Sequence, residues 1–571
     1  MASIQKVKVG RHTYYRIVES RRVNGKPRPV PLLQLGTADQ LLQRLLTQSE
    51  SHLTVRSYQH GDVAALKAMA DRLDLVALID RHLPYARRPL SLGTTLLLAA
   101  INRAVWPCSK RSWAAWAQRT SLPHLFALRP AALTSQYFWD QMDVVSQPAL
   151  EAIEAELTRK VIQQFALTLD TLFYDTSNFF TYLASTNTRS ELVQRGHSKQ
   201  KRMDLRQFSL ALLVAREGQI PLYSYVYEGN KVDATQFPDS LTAIRQRVEQ
   251  LVGQVEALTL VYDKGNNSKA NQALVDALPV HYVASLVPTQ HPDLRALPTA
   301  AYTPLGPGPF ANRLVYRCRR SLWGAERTLV LFISPQLRRG QMRGLHQQLT
   351  KRLDALEQWQ HTLAKPGSGP RTAASARKRV AALGAGQYLN QVLQITYHPR
   401  RKGANRLSWA IDQSALDALE TEVFGKRLLM TDHHDWSTED ILLAYQGQSH
   451  VEAAFRQLKD VDHLTVRPQY HWTDQKVRVH TFICLLAYLL CRLIERECRA
   501  IGYHGNLSHL LDLLGTVRLA LMVRPSGTRG GRPRCTWVLE DSDSEAWRLY
   551  SHLVPPKPPF VYTSTTAASL E

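Results

Sequence analysis

The chain has 571 residues, too many for one ordinary hydrophobic core, so several domains are expected. Hydrophobic residues make up 44% and charged residues 21% of the chain, a balance that indicates a globular protein and excludes a disordered one. Lysine and arginine number 71 against 48 acidic residues, which gives a net charge of +23. This surplus favours a polyanionic partner through counterion release, although a merely basic soluble protein would carry the same charge.

The six cysteines contain no C-x-x-C pair, which disfavours a zinc ribbon or a disulfide framework and fits a reducing cytosol. Cys484, Cys491 and Cys498 recur every seven residues, so we expect them to line the packed face of one helix. No secretory signal is recognised at the start of the chain. The apolar run at residues 482–490 is too short to span a bilayer, which predicts a buried helix and no membrane partner.

The chain contains twenty histidines, and their local spacing does not predict a metal site. The pair His433 and His434, and the more distant His471 and His480, lack the ligand spacing of a tetrahedral zinc site.

The first 167 residues divide into two predicted regions. Residues 1–58 predict a small β unit, because alternating apolar residues flank a turn at N-G-K-P. Residues 59–167 show helical periodicity with interleaved basic and aromatic residues, which indicates a helical DNA-binding domain. Trp113 and Trp116 in this region either face DNA or form helix core, and core is the preferred interpretation.

Residues 168–289 predict the order strand, strand, strand, helix, strand, helix, strand, which is the order of an RNase H-like catalytic core. Asp175 and Asp263 each occur at the polar break of an apolar run that is typical of a buried strand. We therefore expect the two aspartates on adjacent strands, the first and the fourth, of a mixed sheet. The predicted fold class is α/β.

The remaining residues divide into three predicted regions. Residues 290–432 predict an insertion domain, with strands and a long helix near residues 336–364. Residues 433–500 would complete the catalytic core with a helix that carries Glu452, and residues 501–571 form a C-terminal region and tail.

The segment at residues 445–459 reads Y-Q-G-Q-S-H-V-E-A-A-F-R-Q-L-K and predicts one amphipathic helix. Tyr445, Glu452 and Lys459 are spaced seven residues apart. They share one stripe of that helix, because each step of seven residues turns the position by only about 20°. Gln448 and Arg456 flank the same stripe. An apolar stripe beside it can seat the helix on a core: Val451, Phe455 and Leu458. An ordinary surface helix with incidental charges would also show this pattern.

These motifs together resemble the DDE transposases of the insertion-sequence-four superfamily. The signature of that family, Y-(2)-R-(3)-E-(6)-K, is matched by Tyr445, Glu452 and Lys459, whereas Gln448 departs from it at the arginine position. D-K-G-N-N-S at Asp263, V-R-P-Q-Y-H-W-T-D at residues 466–474 and R-G-H-S-K-Q-K-R-M-D-L at residues 195–205 are also similar to family blocks. The resemblance covers roughly residues 170–495.

The resemblance implies that Asp175, Asp263 and Glu452 are catalytic and bind two Mg²⁺ ions, for which Mn²⁺ can substitute. It implies an insertion-sequence transposase that binds the inverted repeats at transposon ends, cleaves the DNA strand and joins it to target DNA. The implied partners are double-stranded DNA and a second copy of the chain, in a homodimeric synaptic complex. The implied location is the bacterial cytoplasm, at the nucleoid.

Several residues are candidates for DNA contact. Tyr445 and Lys459 are expected to hold phosphates, and Arg456 can compensate for the charge that Gln448 lacks. Four cations in the loop at residues 195–206 are expected to contact the DNA backbone, unless the loop is simply solvated: Lys199, Lys201, Arg202 and Arg206. Trp323 or Trp436 could stack on a base turned out of the duplex, although a packed core role is preferred for each.

Two other functions stay open at this point. A nuclease on the same scaffold would cut without joining, and a catalytically silent descendant would only bind DNA. The insertion and the helix with Glu452 count against the first, and the three intact acids count against the second.

Overall fold

The structure is a computed structural model that describes residues 2–23, 26–49, 53–84, 89–196, 202, 204–231, 233–252, 258–365, 372–399, 406–467, 470–524 and 533–555. It is mixed α/β, with a large mixed sheet and many helices, as the predicted fold class requires. The chain divides into two compact units. One comprises Met1–Val76, Ala86–Gln141 and Leu493–Glu571, and the other comprises Ala77–Tyr85 and Met142–Arg492.

The N-terminal residues form strands and then helices, in the order that the sequence predicts. The first elements are β1 (Ala2–Val9), β2 (His12–Val23), β3 (Lys26–Thr37), α1 (Ala38–Ser49) and β4 (Thr54–Gln59). The helices that follow are α2 (Gly61–Arg72), α3 (Leu75–Arg81), α4 (Leu92–Val105), α5 (Trp113–Gln118), α6 (Leu122–Leu125), α7 (Ser135–Asp143) and α8 (Gln147–Phe165). Trp113 and Trp116 are buried, so the preferred core interpretation of both is confirmed.

The next region contains the predicted succession of strands and helices around the two aspartates. Its elements are β5 (Thr171–Phe180), β6 (Gln207–Ala215), β7 (Pro221–Glu228), α9 (Asp233–Val252), β8 (Thr259–Tyr262), α10 (Lys269–Asp276) and β9 (His281–Leu286).

The region predicted as an insertion contains both strands and helices. Its elements are α11 (Pro292–Arg295), β10 (Thr303–Pro304), β11 (Leu314–Leu322), β12 (Ala325–Ile333), α12 (Pro335–Leu363), α13 (Ala373–Gly384), α14 (Leu389–Val392), β13 (Leu393–His398), β14 (Arg406–Ile411), α15 (Gln413–Ala418) and β15 (Lys426–Thr431). The chain continues with α16 (Thr438–Gln446), α17 (Gln448–Gln457), α18 (Asp474–Ala500), α19 (Leu507–Gly515), β16 (Arg518–Arg524), β17 (Arg534–Leu539) and α20 (Ser544–Leu553).

A nine-stranded sheet organises the second unit, in the order β10-β11-β12-β15-β9-β8-β5-β6-β7. Strand β5 pairs parallel to β8 and β8 parallel to β9, whereas β6 is antiparallel to both β5 and β7. Strand β6 is buried along its whole length, so both of its faces are covered. Strands β11, β12 and β15 of the predicted insertion extend this sheet through antiparallel pairs.

The other part of the predicted insertion has a core of its own. Helix α12 and the hairpin of β13 and β14 pack around the buried side chain of Trp359, together with Leu356, Leu363 and Leu407. The long helix expected near residues 336–364 is thus present as α12.

Helix α18 is apolar along most of its length and is buried. By length and composition alone it could cross a membrane, but 94% of its most apolar window is buried inside the structure. Cys484, Cys491 and Cys498 on this helix are all fully buried, so the prediction of a packed cysteine face is confirmed.

A buried arginine links β12, from the predicted insertion, to β9 and α10. Arg327 on β12 is 1% exposed and forms a bidentate pair with Asp276, with Nη1 3.0 Å from Oδ1 and Nη2 2.6 Å from Oδ2. Its guanidinium also donates to the hydroxyl of Tyr282 on β9 and to the carbonyl of Leu322. The pair therefore joins β12, α10 and β9.

Replacing Arg327 should destabilise the large sheet much more than replacing an exposed arginine. We expect Arg327→Met to lower the free energy of unfolding by about 3 kcal/mol, because Asp276 and the Tyr282 hydroxyl then lose a buried partner. Arg320→Met is the matched control, since the Arg320–Asp293 pair is exposed and should contribute at most about 1 kcal/mol. Urea unfolding of both variants measures the difference, and equal losses would contradict the assigned role of Arg327.

Candidate active site

The pairing of β5 with β8 brings two predicted catalytic aspartates together. The parallel register runs from Thr171 opposite Thr259 to Tyr174 opposite Tyr262. Asp175 is the next residue of β5, and Asp263 follows β8 directly. Both side chains are half-buried. Residues at matching positions of adjacent parallel strands are close neighbours. The two aspartates therefore lie next to each other, at the point where β8 ends.

Helix α17 crosses β5 over Asp175. The ring of His450, near the start of the helix, stacks on Phe173 with centroids 5.2 Å apart. Lys459, just after the helix ends, donates to the hydroxyl of Ser177. Phe173 and Ser177 flank Asp175 on the same face of the strand, because side chains alternate between the two faces. The helix between these two contacts therefore passes over the aspartate.

Glu452 lies in the middle of α17, and its side chain is exposed. It lines a cavity of about 550 Å³ together with Asp263, Tyr445 and Ser285. Among the described residues, the carboxylates of Asp175, Asp263 and Glu452 do not all bring an oxygen within 4.8 Å of one another. The structure thus places Asp263 and Glu452 in the lining of one cavity, and Asp175 on the strand next to Asp263, without closing the three acids into a single compact ligand shell.

The helix predicted for residues 445–459 is two helices, so the prediction of one continuous stripe is wrong. Tyr445 lies on α16, and the chain bends at Gly447 before α17 begins. A Cβ atom at position 447 would lie 2.2 Å from the ring of Phe173, so only glycine permits this close approach to β5. Helix α16 packs on β8 and β9, whereas α17 packs on β5.

The predicted apolar stripe of α17 is confirmed, since Val451, Phe455 and Leu458 are all buried. Gln448, at the signature arginine position, is only 6% exposed. Its amide nitrogen donates to the carbonyl oxygen of Tyr174 at 2.9 Å. Gln448 therefore fastens the start of α17 to β5 next to Asp175, and its contact with DNA stays a prediction.

Hydroxyl groups orient the carboxylate of Asp263. The Ser285 hydroxyl, from β9, donates to Oδ1 of Asp263 at 2.6 Å, and the Tyr445 hydroxyl lies 3.4 Å from the same oxygen. Arg427 on β15 donates to the Tyr445 hydroxyl at 2.9 Å. Burial, and then the charge of Asp263, raise the pKa of Tyr445, so its phenol remains a hydrogen-bond donor at neutral pH.

Four cations that the sequence analysis did not single out also line the cavity: Lys264, Arg295, Lys426 and Arg427. Lys426 donates to the carbonyl oxygens of Arg295 and Leu297 at 2.7 and 2.8 Å, and burial lowers its pKa. Arg427 reaches the cavity only because β15 returns beside β9, so no local sequence pattern could identify it.

The predicted phosphate contacts outside the cavity have different surroundings. Arg202 pairs with Asp204 at 2.8 Å, and Arg206 donates to the carbonyl of Asn187 at 2.8 Å. Lys199 and Lys201 lie outside the described residues. Arg456 is exposed on α17. Contact of these residues with DNA stays a prediction.

The structure does not bring Trp323 or Trp436 to the cavity. Trp323 occupies the turn between β11 and β12, and Trp436 stacks on His433 with centroids 3.7 Å apart. Because β15 pairs with β9 and β12, both tryptophans lie at the end of the sheet where β8 and β9 begin. Asp263 lies at the other end, where β8 finishes. Helix α16, with 9 residues, separates Trp436 from Tyr445 by about 13 Å. Neither tryptophan therefore lines the cavity, and stacking of either one on a flipped base stays a prediction.

A scan against protein-family models finds no match, and a search of curated proteins finds none either. Among solved structures, the chain is similar to the piggyBac transposase in a cryo-EM structure of its synaptic complex with hairpin DNA. The TM-score is 0.35 at 7% sequence identity, and the match covers 80% of this chain and 79% of that chain. Any assignment of function therefore depends on the residues around the cavity.

Proposed function

We propose that this protein is a DNA transposase of the DDE type, which cleaves a strand at a transposon end and joins it to target DNA. The observation that carries the proposal is that Asp175 lies on β5 beneath the helix that bears Glu452, while Asp263, at the end of the paired strand β8, lines the same cavity as Glu452. The strand order β7-β6-β5-β8-β9, with β6 running against the others, is consistent with an RNase H-like core. The proposed enzyme works as a homodimer that pairs two transposon ends, as the family resemblance implies.

The ligands around the cavity fit a hard divalent cation. Asp263, Glu452 and the hydroxyls of Ser285 and Tyr445 offer only oxygen atoms, which Mg²⁺ prefers. Asp175, Asp263 and Glu452 would hold two such ions, which supply activation of the attacking hydroxyl and stabilisation of the leaving oxygen.

The protein's own cations are placed to bind the phosphate that reacts. Negative charge on the transferred phosphoryl group is spread over its non-bridging oxygens, so nearby donors stabilise the transition state. Arg427 lines the cavity, and its fork of N–H donors matches a phosphate. In this proposal Arg427 supplies the charge that Gln448 lacks. Lys459, held between Ser177 and the ring of Phe179, helps to fix α17 on β5.

Helix α12 extends the basic surface away from the cavity. Its first turns line the cavity through Gln336 and Gln341. On the same helix, Arg339, Arg343 and Lys351 are exposed. Such a row of cations suits the sugar-phosphate backbone of a duplex whose end enters the cavity. Binding of this kind carries no sequence information, so base recognition must involve other residues.

The glutamate should be required for chemistry and dispensable for DNA binding. We expect Glu452→Gln to lower strand cleavage by at least roughly 100-fold, because a transition-state charge interaction is lost. The substrate is a duplex that carries the DNA flanking the gene, incubated with Mg²⁺ and a target plasmid. Glu357→Gln, which alters an exposed carboxylate on α12, is the matched control and should retain full activity.

The same assay separates the proposed transposase from the other two functions. Joined products from the unmodified protein support the transposase, cut products alone indicate a nuclease, and binding without products indicates a silent descendant. If Glu452→Gln and Glu357→Gln cleave equally well, Glu452 has no catalytic role.

Arg427 should contribute one phosphate contact. We expect Arg427→Gln to weaken binding to DNA of any sequence, because a phosphate contact carries no base information. The slope of log Kobs against log salt concentration should become shallower by about 0.9, the value for one lost contact. Arg216→Gln, which removes an exposed arginine paired with Asp170, is the control. An unchanged slope in Arg427→Gln would show that this arginine only supports Tyr445.

A further inference from the structure

A second cluster of side chains that could bind a metal lies at the end of the large sheet where β9 begins. The cavity lies at the other end of these strands. His281, Asp432 and His433 each place one ligand atom within 4.8 Å of the other two. His281 begins β9, and Asp432 and His433 directly follow β15, which pairs with β9. This cluster shares no residue with the cavity that contains Asp263 and Glu452.

Neighbouring groups hydrogen-bond to one ring nitrogen of His433 and to one carboxylate oxygen of Asp432, which leaves the other nitrogen and the other oxygen for a metal. Nε2 of His433 is 2.8 Å from the hydroxyl of Thr259, at the start of β8. Oδ1 of Asp432 accepts from the backbone N–H of Tyr282 at 2.9 Å. Metal-binding histidines and carboxylates are usually fixed in this way, through hydrogen bonds on the side away from the metal.

The inner atoms of the cluster face one another. Oδ2 of Asp432 is 2.9 Å from Nδ1 of His281, and the rings of His281 and His433 lie 4.2 Å apart between centroids. Trp436 stacks on the His433 ring, and the planes of the two rings are inclined by only 10°. The His433 ring is thus restrained by Thr259 at its edge and by Trp436 on its face.

We infer that His281, Asp432 and His433 form a zinc site. Two imidazole nitrogens and one carboxylate oxygen are ligands that Zn²⁺ accepts in tetrahedral geometry, and a water molecule would complete the set. The ion would cross-link the start of β9 to the end of β15. It would therefore fasten the sheet at the point where the chain leaves the predicted insertion.

Local spacing in the sequence could not predict this site. Asp432 and His433 are consecutive, but His281 precedes Asp432 by 151 residues. A carboxylate ligand also lies outside the cysteine and histidine spacings that are usually searched. Only the pairing of β9 with β15 brings the three residues together.

Zinc titration of the full-length, chelator-treated protein tests the inference. We expect His433→Ala and Asp432→Asn each to lose the tightest Zn²⁺ site, measured by competition with a chromophoric chelator. His434→Ala is the matched control, because Nδ1 of that neighbouring histidine bonds the Thr328 hydroxyl at 2.9 Å and the residue is outside the cluster. It should bind Zn²⁺ like the unmodified protein. Comparison between the two histidine variants cancels any Zn²⁺ bound by the acids of the cavity.

A variant that keeps all three ligands distinguishes loss of the metal site from loss of the fold. Thr259→Val removes only the hydroxyl that fixes His433, and should weaken Zn²⁺ binding by about 10- to 100-fold. Bound Co²⁺ should give the intense visible absorption of a tetrahedral site in the unmodified protein and lose it in Asp432→Asn. The inference is overturned if the tightest Zn²⁺ site survives in Asp432→Asn, or if His434→Ala loses it to the same extent. Neither result depends on strand cleavage, so the proposed transposase activity is tested separately.

Discussion

The parallel pairing of β5 with β8 is the constraint on which the candidate site depends. It fixes Asp175 and Asp263 at matching positions of adjacent strands, and a slip of one residue would turn one of them to the other face. Strand β6, buried on both faces, secures β5 from the other side. The hydroxyl of Ser285 on β9 then orients Asp263. The geometry of the acids is thus determined by backbone hydrogen bonds and a buried core.

The bend at Gly447 also shapes the cavity. Because the chain changes direction there, α16 delivers Tyr445 to Asp263 while α17 carries Glu452 across β5. Gln448, the first residue after the bend, is used to hold the helix against the strand. In the proposed function, Arg427 on β15, which donates to the Tyr445 hydroxyl, supplies a cation beside the cavity.

The sequence predicted those features that depend on local patterns. The strands of Asp175 and Asp263, the long helix α12, and the packed cysteine face of α18 follow from periodicity, which reports burial on one side of an element. It did not predict the bend at Gly447, because helical periodicity continues through residues 445–459 and the close approach of Gly447 to Phe173 joins segments that are far apart in the chain. Arg427 and the cluster of His281 with Asp432 depend on strands that are far apart in the chain. The stacking of Trp436 on His433 likewise arises only when β15 pairs with β9.

The two ligand sets differ in chemistry as well as position. Oxygen ligands around Asp263 favour a hard ion, whereas the imidazoles at His281 and His433 favour zinc. The most direct test of the central claim is anomalous diffraction from crystals of the protein with duplex DNA and Mn²⁺. Manganese bound jointly by Asp175, Asp263 and Glu452 is the predicted result. Crystals in which any one of these three carboxylates has no contact with manganese, while the other two bind it, would contradict the account.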